Sequence, residues 1–374
     1  MAARPTTHKS GNSATADLML IFPVIMLVGI GIAMVYSASS EIALRYYAGE
    51  YYFFTRQLIN AMLGLSAMLV CMVLPYRVFK PLSYLLLLGA TILLAIVLLT
   101  NAGHSAGGAT RWLRVMGVSF QPSELARLAL IVFMAYSLTK KQVKVADPTI
   151  GFLPHLLVLG VFSVLILMQP DFGTIAIFWV LAWMIMFAGR VPLRHLASAM
   201  LLVMPAAVWL LISSDYRLKR YMTFLDPWKY PLDEGYQIIH SLMAFGSGGI
   251  FGKGFGGGYQ KLFYLPAPHT DFIFSVIGEE GGLVCVLFVV ALYMLILWRG
   301  LSIAAHARDC FGSLLAFGIT ASLSLQAIVN MGVNLSLLPT KGLSLPLMSY
   351  GGSSMVFQLA CVGILLNIGM SEKI

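Results

Sequence analysis

Ten uninterrupted apolar runs dominate this 374-residue chain. They lie near residues 18–38, 58–75, 81–100, 122–139, 152–168, 172–189, 196–213, 272–298, 311–334 and 352–370. Runs of this length cross a hydrocarbon core as helices, because a helix satisfies its backbone amides internally where there is no water. A closed barrel would instead alternate polar and apolar residues. Hydrophobic residues make up 59% of the chain and charged residues 10%, which excludes a soluble domain of this size. The expected fold class is an all-α integral membrane protein of about ten transmembrane helices. A short cytoplasmic tail (1–17) and end (371–374) flank one polytopic membrane domain (18–370). A large outer loop, 214–271, joins helices 7 and 8.

Charge sets the expected orientation. Twelve Lys and Arg fall in the termini and in the loops around 77–80, 140–144, 190–194 and 299–308. The short loops on the other side hold five: Arg45, Arg56, Arg111, Arg114 and Lys341. Excess positive charge stays inside, so both termini are expected in the cytoplasm. No cleavable signal pattern precedes the first run. Cys71, Cys285, Cys310 and Cys361 are scattered and have neither metal nor disulfide spacing. The net charge of +9 contains no long basic run, so nucleic acid is not an expected partner. The inner loops are too short for a nucleotide-binding domain. Asp171, Asp215, Asp226, Asp233, Glu234 and Asp271 then face outward, with Glu124, Glu279 and Glu280 a little below.

The most informative stretch is Leu265-Pro266-Ala267-Pro268-His269-Thr270-Asp271-Phe272, where a polar loop enters a membrane helix. A carboxylate at such a mouth is costly and usually functional. Helix capping by Thr270 or Asp271 explains it equally well from sequence alone. Ser275 and Gly278 share the face of Asp271 by helical spacing, which suggests a cavity wall. Eight of the thirteen residues at 246–258 are Gly. With Lys253 such a backbone can cradle a phosphate, or it can simply be a flexible outer loop. Gly108-Ala109-Thr110-Arg111-Trp112 precedes Gln121-Pro122-Ser123-Glu124, where Pro122 and Glu124 mark a helix start. Arg111 can pair with an anion or anchor at the interface. Asp171 reads as a cap in a tight turn. Leu338–Pro346, running into Ser349-Tyr350-Gly351-Gly352-Ser353, reads as an ordered outer loop that dips into the membrane.

Together these segments resemble the SEDS family of bacterial cell-wall polymerases, the FtsW and RodA proteins. The matching pieces include Arg111-Trp112, Gln121-Pro122-Ser123-Glu124-Leu125, Gln169-Pro170-Asp171-Phe172-Gly173-Thr174, Phe224-Leu225-Asp226-Pro227-Trp228, Gly252-Lys253-Gly254, His269-Thr270-Asp271-Phe272 and Ser349-Tyr350-Gly351-Gly352-Ser353. They run in family order from the third outer loop to the last span. Leu338-Pro339-Thr340-Lys341-Gly342-Leu343 is similar to the division-specific branch; the elongation branch more often has two apolar residues at 340 and 341. Arg127 stands where many members have Lys.

The resemblance implies a peptidoglycan glycosyltransferase that polymerises lipid II at the outer face of the bacterial inner membrane, for septal wall synthesis. It implies Asp271 as the catalytic carboxylate and a divalent cation, Mg or Mn. The implied partners are a class B penicillin-binding protein acting as division transpeptidase, other divisome proteins and membrane lipids. Asp271 is the expected general base, with a pKa raised by partial desolvation. Arg111, Lys253, His269 and Thr270 are expected at the pyrophosphate. Glu124, Glu279, Glu280 and Asp171 are expected as supporting acids, and Lys341, Ser349 and Tyr350 on a loop beside the site. The competing readings are a lipid II flippase, an elongation-specific polymerase and a scaffold for the transpeptidase.

Overall fold

The structure, a computed structural model, describes residues 13–47, 49–99, 103–106, 109–115, 118–213, 215–232, 235–262, 265–340 and 342–371. Lys341, Asp233 and Glu234 lie outside the described residues. Twelve helices follow in chain order: α1 (Ser13–Tyr46), α2 (Tyr52–Val73), α3 (Phe79–Leu99), α4 (Pro122–Lys140), α5 (Leu153–Leu167), α6 (Phe172–Ala188), α7 (Leu193–Ile212), α8 (Asp215–Leu225), α9 (Gly235–Gly248), α10 (Ile273–His306), α11 (Cys310–Asn334) and α12 (Ser353–Ser371). All ten apolar runs fall on helices of this set. Seven helical segments among the described residues are long and apolar enough to cross a membrane, namely those containing α1, α2, α3, α5, α10, α11 and α12; α6 and the first part of α7 are shorter apolar helices.

Burial divides the spans into centre and periphery. In the most apolar stretch of α11 and of α12, 67% and 72% of residues are buried, against 22% in α2 and in α3. The central pair buries Thr320, Gln326, Asn330, Asn334 and Gln358, and the peripheral helices turn Leu, Ile and Met outward. α12 packs along α2, and α10 packs against α1, α9 and α11. Small residues permit these approaches: a Cβ on Gly363 of α12 would lie 2.3 Å from the Met68 carbonyl.

Two regions depart from expectation. Three described segments form a small antiparallel sheet rather than a plain loop: β1 (Gly103–Ala106), β2 (Ala109–Val115) and β3 (Val118–Phe120). Thr110, Trp112, Val115, Val118 and Phe120 suit strands. The long loop expected over 214–271 is also structured, because α8 and α9 lie within it.

One end of the bundle gathers several element ends. The Gln121 amide before α4 donates to Ser353 Oγ at the start of α12 (3.0 Å), and the Tyr350 amide donates to the His269 carbonyl just before α10 (2.9 Å). At the opposite end Asp309 accepts from Lys80 Nζ (2.7 Å) and Tyr76 Oη (2.9 Å), and Asn367 of α12 caps the Tyr76 amide (2.9 Å).

Candidate functional site

The turn before α10 holds Asp271 by its backbone and leaves the carboxylate to face a neighbouring loop. The residue preceding α10 is Phe272, and no side chain caps the helix. Thr270 Oγ1 instead donates backward to the Ala267 carbonyl (3.2 Å). Capping therefore does not account for Asp271. Its carbonyl accepts from Asn330 Nδ2 (2.9 Å) and Asn334 Nδ2 (3.0 Å) of α11. Its carboxylate abuts Gly342, where an added Cβ would sit 3.2 Å from Oδ2.

The loop bearing Gly342 descends among the spans, as its sequence suggests. Leu345, Leu347 and Met348 are buried. Tyr293 Oη of α10 donates to the Pro346 carbonyl, the Leu347 amide donates to Gln358 Oε1 of α12 (2.8 Å), and Gln57 Nε2 of α2 reaches the Ser349 carbonyl (3.3 Å). Side chains of three helices thus satisfy backbone groups of this loop, the condition for irregular backbone at this depth. Ser349 is one such group: its Oγ accepts from the Leu345 amide (2.8 Å).

His269 stacks beside Phe53 (4.6 Å between centroids) and near Tyr350 (5.7 Å). Burial lowers its pKa from an ordinary 6.5 to about 4. The ring is thus neutral near pH 7. Protonation opposes this packing, so its stabilisation is present above pH 6.5 and is lost as the pH falls toward 4. His269→Phe is expected to flatten the fall of melting temperature across that window, as measured by thermal unfolding in detergent at stepped pH.

Glu279 and Glu280 do not face this turn; they anchor the glycine-rich loop. Glu279 Oε1 accepts from Lys253 Nζ (3.1 Å) and the Tyr259 amide (2.9 Å), and Oε2 accepts from the Gln260 amide (3.1 Å). Glu280 Oε1 accepts from Lys261 Nζ (2.6 Å) and Ser37 Oγ of α1 (2.7 Å), and Oε2 from the Gly256 amide (3.2 Å). The loop therefore cradles anions as its composition suggests, but the anions are the protein's own carboxylates. Lys253 pairs with Glu279 at 3.1 Å, so a carboxylate of the protein already engages the cation expected at a leaving pyrophosphate. The loop is a built element rather than a flexible one.

The same loop repairs a break in α10. Gly282 has φ 64° and ψ −168°, so the helical bonds of Leu283 and Val284 to the carbonyls of Glu279 and Glu280 are lost. The amides of Leu283 and Val284 donate instead to Gly249 and Ile250 (3.0 and 3.2 Å), and the two freed carbonyls accept from the amides of Lys253 and Gly254 (both 3.0 Å). Gly252, at φ +78°, permits the approach: a Cβ there would lie 2.1 Å from the Glu280 carbonyl. All four groups are satisfied by one loop, as a broken membrane helix requires.

The remaining candidates separate. Glu124 makes a buried bidentate pair with Arg127 (both contacts 3.2 Å). The pair lines a small cleft with Ser322, Gln326 and Gln358. Asp171 is the cap of α6, accepting from the Thr174 amide (3.2 Å) and hydroxyl (2.9 Å). Arg111 is the extra residue of a bulge in β2, between the pairs Thr110–Ser105 and Trp112–His104. Its side chain, like all of Lys341, lies outside the described residues. Among the described residues, no three His, Cys, Asp or Glu side chains converge as a metal cage. Ser275 does not line a cavity either: its hydroxyl meets Asn334 Oδ1 (2.6 Å) and Ser241 Oγ (2.5 Å), so α9 and α11 fill that face.

Asn330 and Asn334 are the residues that sequence reading missed. The available signal was two amides at i, i+4 on one face of an apolar helix, a costly arrangement in lipid without bonded partners.

Residues 17–374 match the family model of the FtsW, RodA and SpoVE proteins, described as cell cycle protein. A probable peptidoglycan glycosyltransferase FtsW of Geobacter metallireducens is 44% identical over 96% of this chain and 95% of its own. Stage V sporulation protein E of Bacillus subtilis is 39% identical over 98% of this chain and 100% of its own. Among solved structures, a chain from a peptidoglycan synthase complex that coordinates polymerization and crosslinking aligns with a TM-score of 0.77 at 30% identity, covering 95% of this chain and 97% of that one. The rod shape determining protein RodA of Thermus thermophilus aligns with a TM-score of 0.70 at 28% identity, covering 96% and 97%.

Proposed function

The chain belongs to the FtsW, RodA and SpoVE family, and we propose that it is a peptidoglycan glycosyltransferase of the FtsW type, extending glycan strands from lipid II during septal wall synthesis. The observation that carries this reading is near-full-length identity of 44% to a relative named for that activity. In this reading the chain spans the inner membrane ten times with both termini in the cytoplasm. The turn of Asp271 then opens to the periplasm, where the acceptor strand lies.

Asp271 acts as the general base. A sugar hydroxyl of the acceptor gives its proton to the carboxylate as its oxygen bonds to the anomeric carbon, and the bond to the lipid pyrophosphate breaks. The leaving group carries away the electron pair. With Lys253 and Arg127 held by Glu279 and Glu124, charge neutralisation falls to Arg111 and Lys341, the latter adjoining the glycine that faces the carboxylate. A divalent cation, Mg or Mn, would supply further neutralisation. Asp271 offers it one carboxylate, and the substrate's pyrophosphate supplies further oxygens, a common arrangement for magnesium. A class B penicillin-binding protein crosslinks the strand that this chain extends.

Gly342→Ala is expected to lower the polymerisation rate about threefold, because its Cβ would sit 3.2 Å from Oδ2 and the carboxylate must give by a few tenths of an ångström. Initial rates on labelled lipid II check it. The decisive test of the function is reconstitution of the purified chain with and without its transpeptidase. Gel-resolved glycan strands are the expected result. Lipid II that crosses vesicles without forming polymer would overturn it in favour of a flippase.

A further inference from the structure

Asp271 stands two residues before the first residue of α10, and its carbonyl has no helical partner. The Ser275 amide, four residues on, bonds to the Phe272 carbonyl (3.1 Å) and to Asn334 Oδ1 (3.2 Å) instead. Two buried amides of α11 take the Asp271 carbonyl, and each has a second hold. Asn330 Nδ2 also donates to the Leu343 carbonyl (2.6 Å), and Asn334 Nδ2 also donates to the Asn330 carbonyl (2.8 Å). Asn334 Oδ1 accepts from Ser275 Oγ, and its carbonyl accepts from Ser241 Oγ of α9 (2.6 Å). Asn330 and Asn334 are only 2% and 0% exposed.

One consequence is geometric. Asn330 joins the carbonyl of Asp271 to that of Leu343, and the carboxylate of Asp271 abuts Gly342, the neighbour of Leu343. A single amide thus fixes the spacing between the reacting turn and the loop it faces. Asn334 fixes the same turn to the first turn of α10 and to α9. Capping needs only one donor per carbonyl. Two donors on one carbonyl, each bridging to a different element, define a position rather than satisfy a group.

We propose that Asn330 and Asn334 are positioning residues that set the Asp271 carboxylate against the 340–343 loop. This rests on Asp271 as the base. Neither asparagine touches substrate; both act through the backbone of Asp271. Loss of the clamp lets the turn shift and lowers turnover without weakening lipid II binding.

The test measures initial rates of polymerisation for the full chain with its transpeptidase. Asn330→Ala is expected to lower kcat about 10- to 100-fold, with KM for lipid II within about threefold of wild type. Combined with Gly342→Ala, it should cost less than the product of the two single losses, because both displace one carboxylate. Co-purification with the partner and the melting temperature establish folding. If Asn330→Ala does not fold, Asn334→Ser is read in the same way. A rate within twofold of wild type, a KM that rises as much as kcat falls, or fully multiplicative losses would each overturn the clamp. Asp271→Asn is measured alongside. Wild-type activity in that variant sinks the base assignment itself, whereas its inactivity beside a fast Asn330→Ala sinks only the clamp.

Discussion

Asp271→Asn is expected to lower the rate of lipid II polymerisation by about 10²–10⁴-fold, the usual worth of general-base help. The substitution keeps the shape of the side chain and removes its capacity to take a proton. Because no side chain caps α10 and the Asp271 carbonyl is held by Asn330 and Asn334, the turn should survive it. The variant should therefore co-purify with its transpeptidase and melt within a few degrees of wild type. The measurement is the initial rate on labelled lipid II with the folded complex. Turnover at the wild-type rate would exclude Asp271 as the base.

The second large effect concerns stability. Glu280→Ala removes the acceptor of Lys261 in a pair whose side chains are only 2% and 5% exposed. It also takes the acceptor from the Ser37 hydroxyl proton and from the Gly256 amide, which donate to the same carboxylate. Breaking a buried pair from one side typically costs about 3–5 kcal/mol, since the remaining charge is left without a counter-ion. The expected result is a sharply lower melting temperature in detergent and little monodisperse protein. Glu280→Gln combined with Lys261→Met keeps an acceptor for the loop and removes the stranded charge, so it should recover most of the loss. If Glu280→Ala melts with the wild type, the carboxylate does not anchor the loop.

These two acids mark how far sequence reading reaches. Asp271, Glu279 and Glu280 are all carboxylates near the mouth of one membrane helix, and helical spacing cannot tell them apart. The fold separates them by break and loop. At Gly282 the helix opens, and residues 249–254 fill the gap with their own backbone. The two glutamates then face lysines from that loop, while Asp271 faces Gly342. Lys253 looked like a phosphate ligand because Gly-rich backbone and a cation suit any anion. Which anion they meet depends on a residue 26 positions away. Asn330 and Asn334 went unread for a related reason: an amide shows its role only when its acceptors are known, and those lie in the turn before α10 and on the 343 loop.

The sequence by itself determined the solvent and the element type. Apolar runs long enough to span, almost without charge, can only be helices in lipid, since backbone amides find no water there. It also marked the Asp271 turn and the Leu338–Tyr350 loop as exceptional, because polar and irregular segments at a membrane mouth carry a cost that needs a return. Only the tertiary structure decided which carboxylate faces the loop of Gly342 and which face the glycine-rich loop. That outcome depends on hydrogen-bond partners brought together from α1, α9, α11 and two loops, and a one-dimensional pattern does not encode which donors meet which acceptors.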